Sequence, residues 1–128
     1  MTPDLTLLVC AVVLTAVQAI VAGMGANGQA GLTTMAGNRE HLPEILGWPG
    51  RAARAHRNML ENLPLFAALV LIAHVAGRSD ATSILGEHIF VWSRLVYAGV
   101  YIVGVPWLRS AVFAVSVSGM GMVLLRLV

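Results

Sequence analysis

Hydrophobic residues run along this chain in four long stretches separated by polar or glycine-rich breaks. The first, from Leu5 to Ala22, is interrupted only by Thr6, Thr15 and Gln18. It is long enough to cross a bilayer as a helix of roughly 20 residues. From Gly23 to Pro49 the sequence turns small and polar, and Asn38-Arg39-Glu40-His41 with Pro43 marks a loop there. The second stretch begins near Arg51 with a charged half (Arg51, Arg54, Arg57, Glu61) and continues through an apolar half from Leu63 to Ala76. Pro64 removes one backbone donor inside it, which predicts a kink or local irregularity rather than a stop. Gly77-Arg78-Ser79-Asp80 reads as a turn, with Ser79 or Asp80 capping the third helix. That helix ends at Pro106. The fourth follows at once and carries Ser116, Ser118, Gly119 and Gly121, small residues that let another helix approach closely.

The pattern predicts an all-α integral membrane four-helix bundle, one domain over residues 1–128, with spans at about 5–25, 51–76, 82–105 and 107–127 and short connections between them. Composition agrees. The chain is 58% hydrophobic and 11% charged, whereas soluble domains carry about 25% charged residues, so lipid is the expected solvent. Met1-Thr2-Pro3-Asp4 has no basic residue ahead of the first apolar run, which therefore reads as a span and not as a cleaved signal.

Charge adds a second layer. All eight basic residues are arginine, and the net charge of +2 is too small to argue for nucleic acid. Arg39, Arg51, Arg54, Arg57 and Arg109 flank the first and third connections, against Arg78 and Arg126 on the other side, so the positive-inside rule places those two connections in the cytoplasm. Cys10 is the only cysteine and sits in an apolar run as a small hydrophobe. His41, His56, His74 and His88 lack the spacing of a metal site, and no metal is expected.

The candidate chemistry lies on two helix faces. Arg54, Asn58 and Glu61 stand at i, i+4 and i+7, with Arg57 beside them, and fall on one face of the second helix. Arg94, Tyr97 and Tyr101, at i, i+3 and i+7, likewise fall on one face of the third. Charges in a membrane span normally face a bundle interior or a watery pocket and are paired. Ion pairs of Arg57 or Arg94 with Glu61 would account for them as plain helix glue. Arg54, Arg57, Arg94 and Arg109 nonetheless outnumber Glu61, leaving positive charge for an anionic ligand. Arg109 begins the fourth helix, where the helix N-terminus adds to its positive charge and suits a thiolate.

Together, Arg54-Ala-His56-Arg57-Asn58-Met-Leu-Glu61-Asn62-Leu-Pro64, then Arg94-Leu-Val-Tyr97-Ala-Gly-Val-Tyr101, then Arg109-Ser110 resemble the membrane-associated proteins in eicosanoid and glutathione metabolism, in the form of a short bacterial-type member. The resemblance implies a homotrimer of four-helix subunits in the bacterial inner membrane, with glutathione, or another anionic thiol, bound between neighbouring subunits. By motif position Arg54, Asn58, Glu61, Arg94, Tyr97 and Tyr101 would hold the peptide and Arg109 would stabilise its thiolate. A lipophilic electrophile would enter from the bilayer, which makes the chain a glutathione-dependent transferase or peroxidase. The resemblance departs at the end of the first helix. Family members usually carry a basic residue there, and this chain reads Gly25-Ala-Asn-Gly28-Gln29. Two other readings fit the residues alone. One is a small transporter using Glu61 as its intramembrane site, and the other is a non-catalytic membrane oligomer whose polar residues hold helices together.

Overall fold

The computed structural model describes every residue, Met1–Val128. The chain is entirely helical: α1 Pro3–Ala30, α2 Leu32–Ala36, α3 Gly47–Val75, α4 Ala81–Val103 and α5 Pro106–Leu127. Three of the four long helices, α1, α3 and α5, are long and apolar enough to cross a membrane. The expected third span forms as α4 but falls short of that hydropathy, because Glu87, His88 and Arg94 lie along it. The loop that follows the first span runs from Gly31 to Leu46 and contains the one-turn helix α2, and the connections on either side of α4 are short.

Burial follows the helical repeat, with its polarity inverted relative to a soluble protein. On α1 the buried stripe is Asp4, Leu7, Ala11, Thr15, Gln18, Ala22 and Ala26, at steps of three and four. Val9, Val12, Val13, Val17 and Ile20 face outward. Large aliphatic residues outside and small or polar ones inside are what lipid selects, because apolar burial gives no driving force there and close packing must supply it. Two glycine contacts show that packing. A side chain on Gly119 would meet the Gly86 carbonyl at 2.5 Å and the Phe90 amide at 2.9 Å, so α4 and α5 cross nearly backbone to backbone. Gly25 admits Pro49 and Trp48 in the same way, which brings α1 against the start of α3. At the centre Phe66 and Phe90 stack at 4.0 Å, flanked by Ala11, Met59, Val70 and Met120.

Helix ends are tied by specific polar contacts. Asp80 is the α4 cap, accepting from the backbone N–H groups of Thr82 and Ser83 while the Ser83 hydroxyl accepts from the Asp80 backbone N–H. The Ser83 N–H first, and then Arg126, hold its carboxyl below the usual aspartate range. That contribution is present at neutral pH and is lost as pH falls through the lowered value. Arg126 pairs with Asp80 and fixes the end of α5 to the start of α4. Asp4, 1% exposed, lies 2.8 Å from His74 Nδ1 and joins the start of α1 to the end of α3. At the other end Arg51 Nε donates to the Ile102 carbonyl at 2.7 Å, closing the last turn of α4. α3 runs through Pro64 without a stop.

The glycine crossing gives a direct test. Gly119→Ala should lower stability by about 1–3 kcal/mol through overpacking against the Gly86 backbone. Gly121→Ala, two residues on and facing open space, should be neutral or stabilising by up to about 1 kcal/mol. Thermal unfolding of both variants in detergent, followed by circular dichroism, distinguishes them.

Candidate functional site

Three helix ends meet where α3 begins, α4 finishes and α5 starts, since Arg51 holds α4 to α3 and the tight Gly104–Val105 turn leads straight into α5. Gly104 makes that turn with φ 91°, a conformation glycine adopts without a Cβ penalty. A cleft of about 290 Å³ opens there, lined by Arg54, Arg57, Asn58 and Glu61 from α3, Tyr97 and Tyr101 from α4, and Arg109 from α5. Six of the seven residues singled out in the sequence therefore lie on one cleft wall. The seventh, Arg94, lies beneath it and reaches it through Asn58 and Tyr97. Arg57, noted only as a neighbour, is also part of the lining.

Arg94 is wholly buried. One of its terminal nitrogens donates to Asn58 Oδ1 at 2.7 Å, and the guanidinium lies 4.4 Å from the Tyr97 ring centre and 5.9 Å from that of Phe113. Its Nε and Nη1 have no hydrogen-bond partner. Asn62 completes the support by donating to the Asn58 carbonyl at 2.8 Å. Arg109 lies across the Tyr101 ring, 4.6 Å from its centre, and Tyr101 meets Tyr97 edge to face at 5.6 Å. The aromatic groups thus form a shelf that orients two guanidinium groups without neutralising either.

The ion pairs of Arg57 and Arg94 with Glu61, which would have made these residues helix glue, do not form. Arg126 pairs with Asp80 and His74 contacts Asp4, and Glu61 takes part in neither contact. Four arginines and one carboxylate are left facing or underlying a single cleft with no internal neutralisation. Arg54, Arg57 and Glu61 are exposed on its rim. Such a cleft can hold a ligand with more than one anionic group and a single cationic one, because Glu61 supplies the lone negative charge.

Phe113 and the Gln29 clamp escaped the sequence reading. Phe113 reads as one more apolar residue of α5 and gains its role only because α5 packs closely on α4. Gln29 stands in the stretch where a basic residue was noted as missing. Its amide grips the backbone of Leu46, with Nε2 donating to the Leu46 carbonyl at 2.8 Å and Oε1 accepting from its N–H at 2.6 Å. The end of α1 thus secures the link into α3 and contributes no charge to the cleft.

The Asn58 contact predicts a stability difference within the cleft. Asn58→Leu should cost about 1.5–3 kcal/mol by stripping a buried charged donor of its one partner. Glu61→Gln, on an exposed group outside any ion pair, should stay within about 0.5 kcal/mol of the parent. Parallel denaturant titrations in detergent read both.

Comparison with known proteins places the whole bundle in one group, since the family model described as the MAPEG family matches residues 5–128. Comparison with curated proteins and with solved structures finds no match.

Proposed function

The chain belongs to the MAPEG family, and from that premise we propose that it is a membrane-bound glutathione-dependent transferase or peroxidase acting on lipophilic electrophiles. The family connects it with glutathione or eicosanoid metabolism at a membrane, and three apolar helices suit it to span one. The observation that carries the finer reading is the un-neutralised cleft: Arg54, Arg57, Arg94 and Arg109 against Glu61. Glutathione has two carboxylates, one ammonium and one thiol, and this charge pattern mirrors the cleft. Its carboxylates would take Arg54 and Arg57, with Arg94 reinforcing Asn58 and Tyr97 from below. Its ammonium would take Glu61.

Arg109 would then stand beside the sulfur. It sits in the first turn of α5, whose free N–H groups add positive potential, and it is steered by the Tyr101 ring. A positive group there favours the thiolate, the nucleophilic form, over a thiol with pKa near 8.5. In a transferase the thiolate forms the new bond to an electrophilic carbon as the leaving group departs with its electron pair. In a peroxidase two glutathiones are oxidised to the disulfide while the hydroperoxide is reduced to alcohol and water.

The exposed rim supports assembly. Arg54, Arg57 and Glu61 face outward from a single subunit, and charged side chains within a span normally face a bundle interior or a watery cavity rather than lipid. A homotrimer with the cleft closed by a neighbouring subunit would remove them from lipid and enclose the peptide. With the first and third connections cytoplasmic, as the arginine distribution suggests, the cleft opens toward the cytoplasm of a bacterial cell, where glutathione is held reduced.

Equilibrium binding of glutathione to the detergent-purified protein tests this, together with an ultraviolet scan for thiolate. Saturable binding with thiolate absorbance at neutral pH is the expected result. Arg54→Ala should raise the dissociation constant at least about tenfold, the loss of one charge-assisted contact. Arg109→Ala should leave binding within a few fold but remove the thiolate signal and lower kcat. Absence of binding at millimolar glutathione, or an unchanged thiolate signal in Arg109→Ala, would overturn the reading.

A further inference from the structure

Glu87 stands on α4 one residue from Gly86, where α4 and α5 cross, and takes no part in the arginine cleft. Its side chain is 0% exposed, and neither Oε1 nor Oε2 has a hydrogen-bond partner. The buried hydroxyls of the bundle are engaged elsewhere. Ser83, one turn earlier, donates to the Asp80 carbonyl, Ser93 to that of Phe90, Ser116 to that of Phe113 and Thr15 to that of Ala11.

No cation answers Glu87 either. α1 brings Asp4, a second carboxylate within electrostatic reach, and α3 brings His74, whose Nδ1 is held by Asp4. At this end of α5 Arg126 is paired with Asp80. On α4 itself His88 lines the outer groove between α1 and α4. An unpaired carboxylate in an apolar interior costs far more than the neutral acid, and such a group takes up a proton instead. The chain itself encloses both oxygens, so no metal ion, solute or neighbouring subunit reaches them while the bundle is closed. A proton is small enough.

We propose that Glu87 is a proton-binding site, occupied in the closed bundle, and that release of its proton to water opens the α4–α5 crossing. The neutral acid lets Gly86 and Gly119 meet backbone to backbone. Once ionised, Glu87 is repelled by Asp4 and needs water or a cation, and the helices must part to admit either. The effect reaches α5, which carries Phe113 and Arg109. The site stands independently of what the arginine cleft binds.

The test is infrared spectroscopy of the full-length protein in detergent over a pH series, with Glu87→Gln, an uncharged mimic of the proton-bound state, as the control. At neutral pH the parent should show the carbonyl stretch of an undissociated carboxylic acid, absent in Glu87→Gln. That band should give way to carboxylate as pH rises. Denaturant titration reads the coupling. Above the ordinary glutamate value of about 4.3 the unfolded chain has lost a proton that the folded bundle keeps, so stability falls with rising pH until the bundle releases it too. Across that window the parent's ratio of folded to unfolded protein should fall by up to about tenfold per pH unit relative to Glu87→Gln, the limit for one proton. Above the release, amides beside Gly86 and Gly119 should exchange hydrogen faster in the parent than in the variant. A parent that shows only carboxylate at neutral pH would overturn the proposal. So would parallel pH curves in the two proteins, which would make Glu87 a fixed polar group. Should Glu87→Gln not fold, the parent decides alone. An acid band that fades in step with faster exchange at the crossing supports the site, and one that fades without it overturns the switch.

Discussion

Arg94 is buried without a trace of solvent contact in an apolar bundle, and the Asn58 side chain is its single hydrogen-bond partner. A guanidinium carries five donors, and removing such a group from water costs several kcal/mol unless its charge and its donors are met. The surroundings meet part of that need. Tyr97 and Phe113 offer ring faces, Asn58 offers one oxygen, and Asn62 steadies Asn58 through its backbone. Nε and Nη1 stay without partners, and the cleft above holds Arg54, Arg57 and Arg109, charge of the same sign. Four like charges gathered around one carboxylate oppose the stability of the isolated subunit. Their gathering is intelligible if an anionic ligand completes the set.

The rest of the architecture allows that concentration to exist. α4 carries both the buried arginine and the buried Glu87, which makes it too polar to resemble an ordinary span, and it is covered by neighbours. α5 reaches it closely because Gly86 and Gly119 leave room for the backbones to meet, and this proximity delivers Phe113 and Arg109 to the cleft. α3 reaches it through the Phe66 and Phe90 stack and through Arg51 on the last carbonyls of α4. Packing, helix closure and site geometry therefore share the same contacts.

Much of this was legible in the residues. The spacing i, i+4, i+7 on α3 and i, i+3, i+7 on α4 gathers the cleft residues because helical periodicity depends on nothing beyond the local chain. Asp80 as a cap followed from local chemistry too. Hydropathy located the four long helices. α1 stays helical to Ala30 in spite of its glycines, and α3 starts at Gly47, ahead of the charged run, where packing of Gly25 against Pro49 and Trp48 stabilises what propensity alone leaves undecided. The long-range contacts were not legible. Nothing local distinguishes a Gln29 that clamps Leu46 from one that faces a ligand, or reveals that Arg57 and Glu61, well spaced for an ion pair, do not form one. Such outcomes depend on which neighbours the fold brings within reach.

The most direct test of the central claim, that Arg94 is buried to serve a ligand rather than to hold the helices, is the thermal unfolding of Arg94→Met with and without glutathione. A methionine keeps much of the side-chain volume and removes the uncompensated charge. The variant should melt within about 1 kcal/mol of the parent when glutathione is absent, since replacing a buried charge with an apolar side chain of similar size is often neutral or better. It should gain less from the ligand than the parent, which gains about 2.7 kcal/mol at a hundredfold excess over its dissociation constant. A variant that loses about 3 kcal/mol or more without ligand, yet is stabilised by glutathione as much as the parent, would contradict the claim and make Arg94 a structural strut.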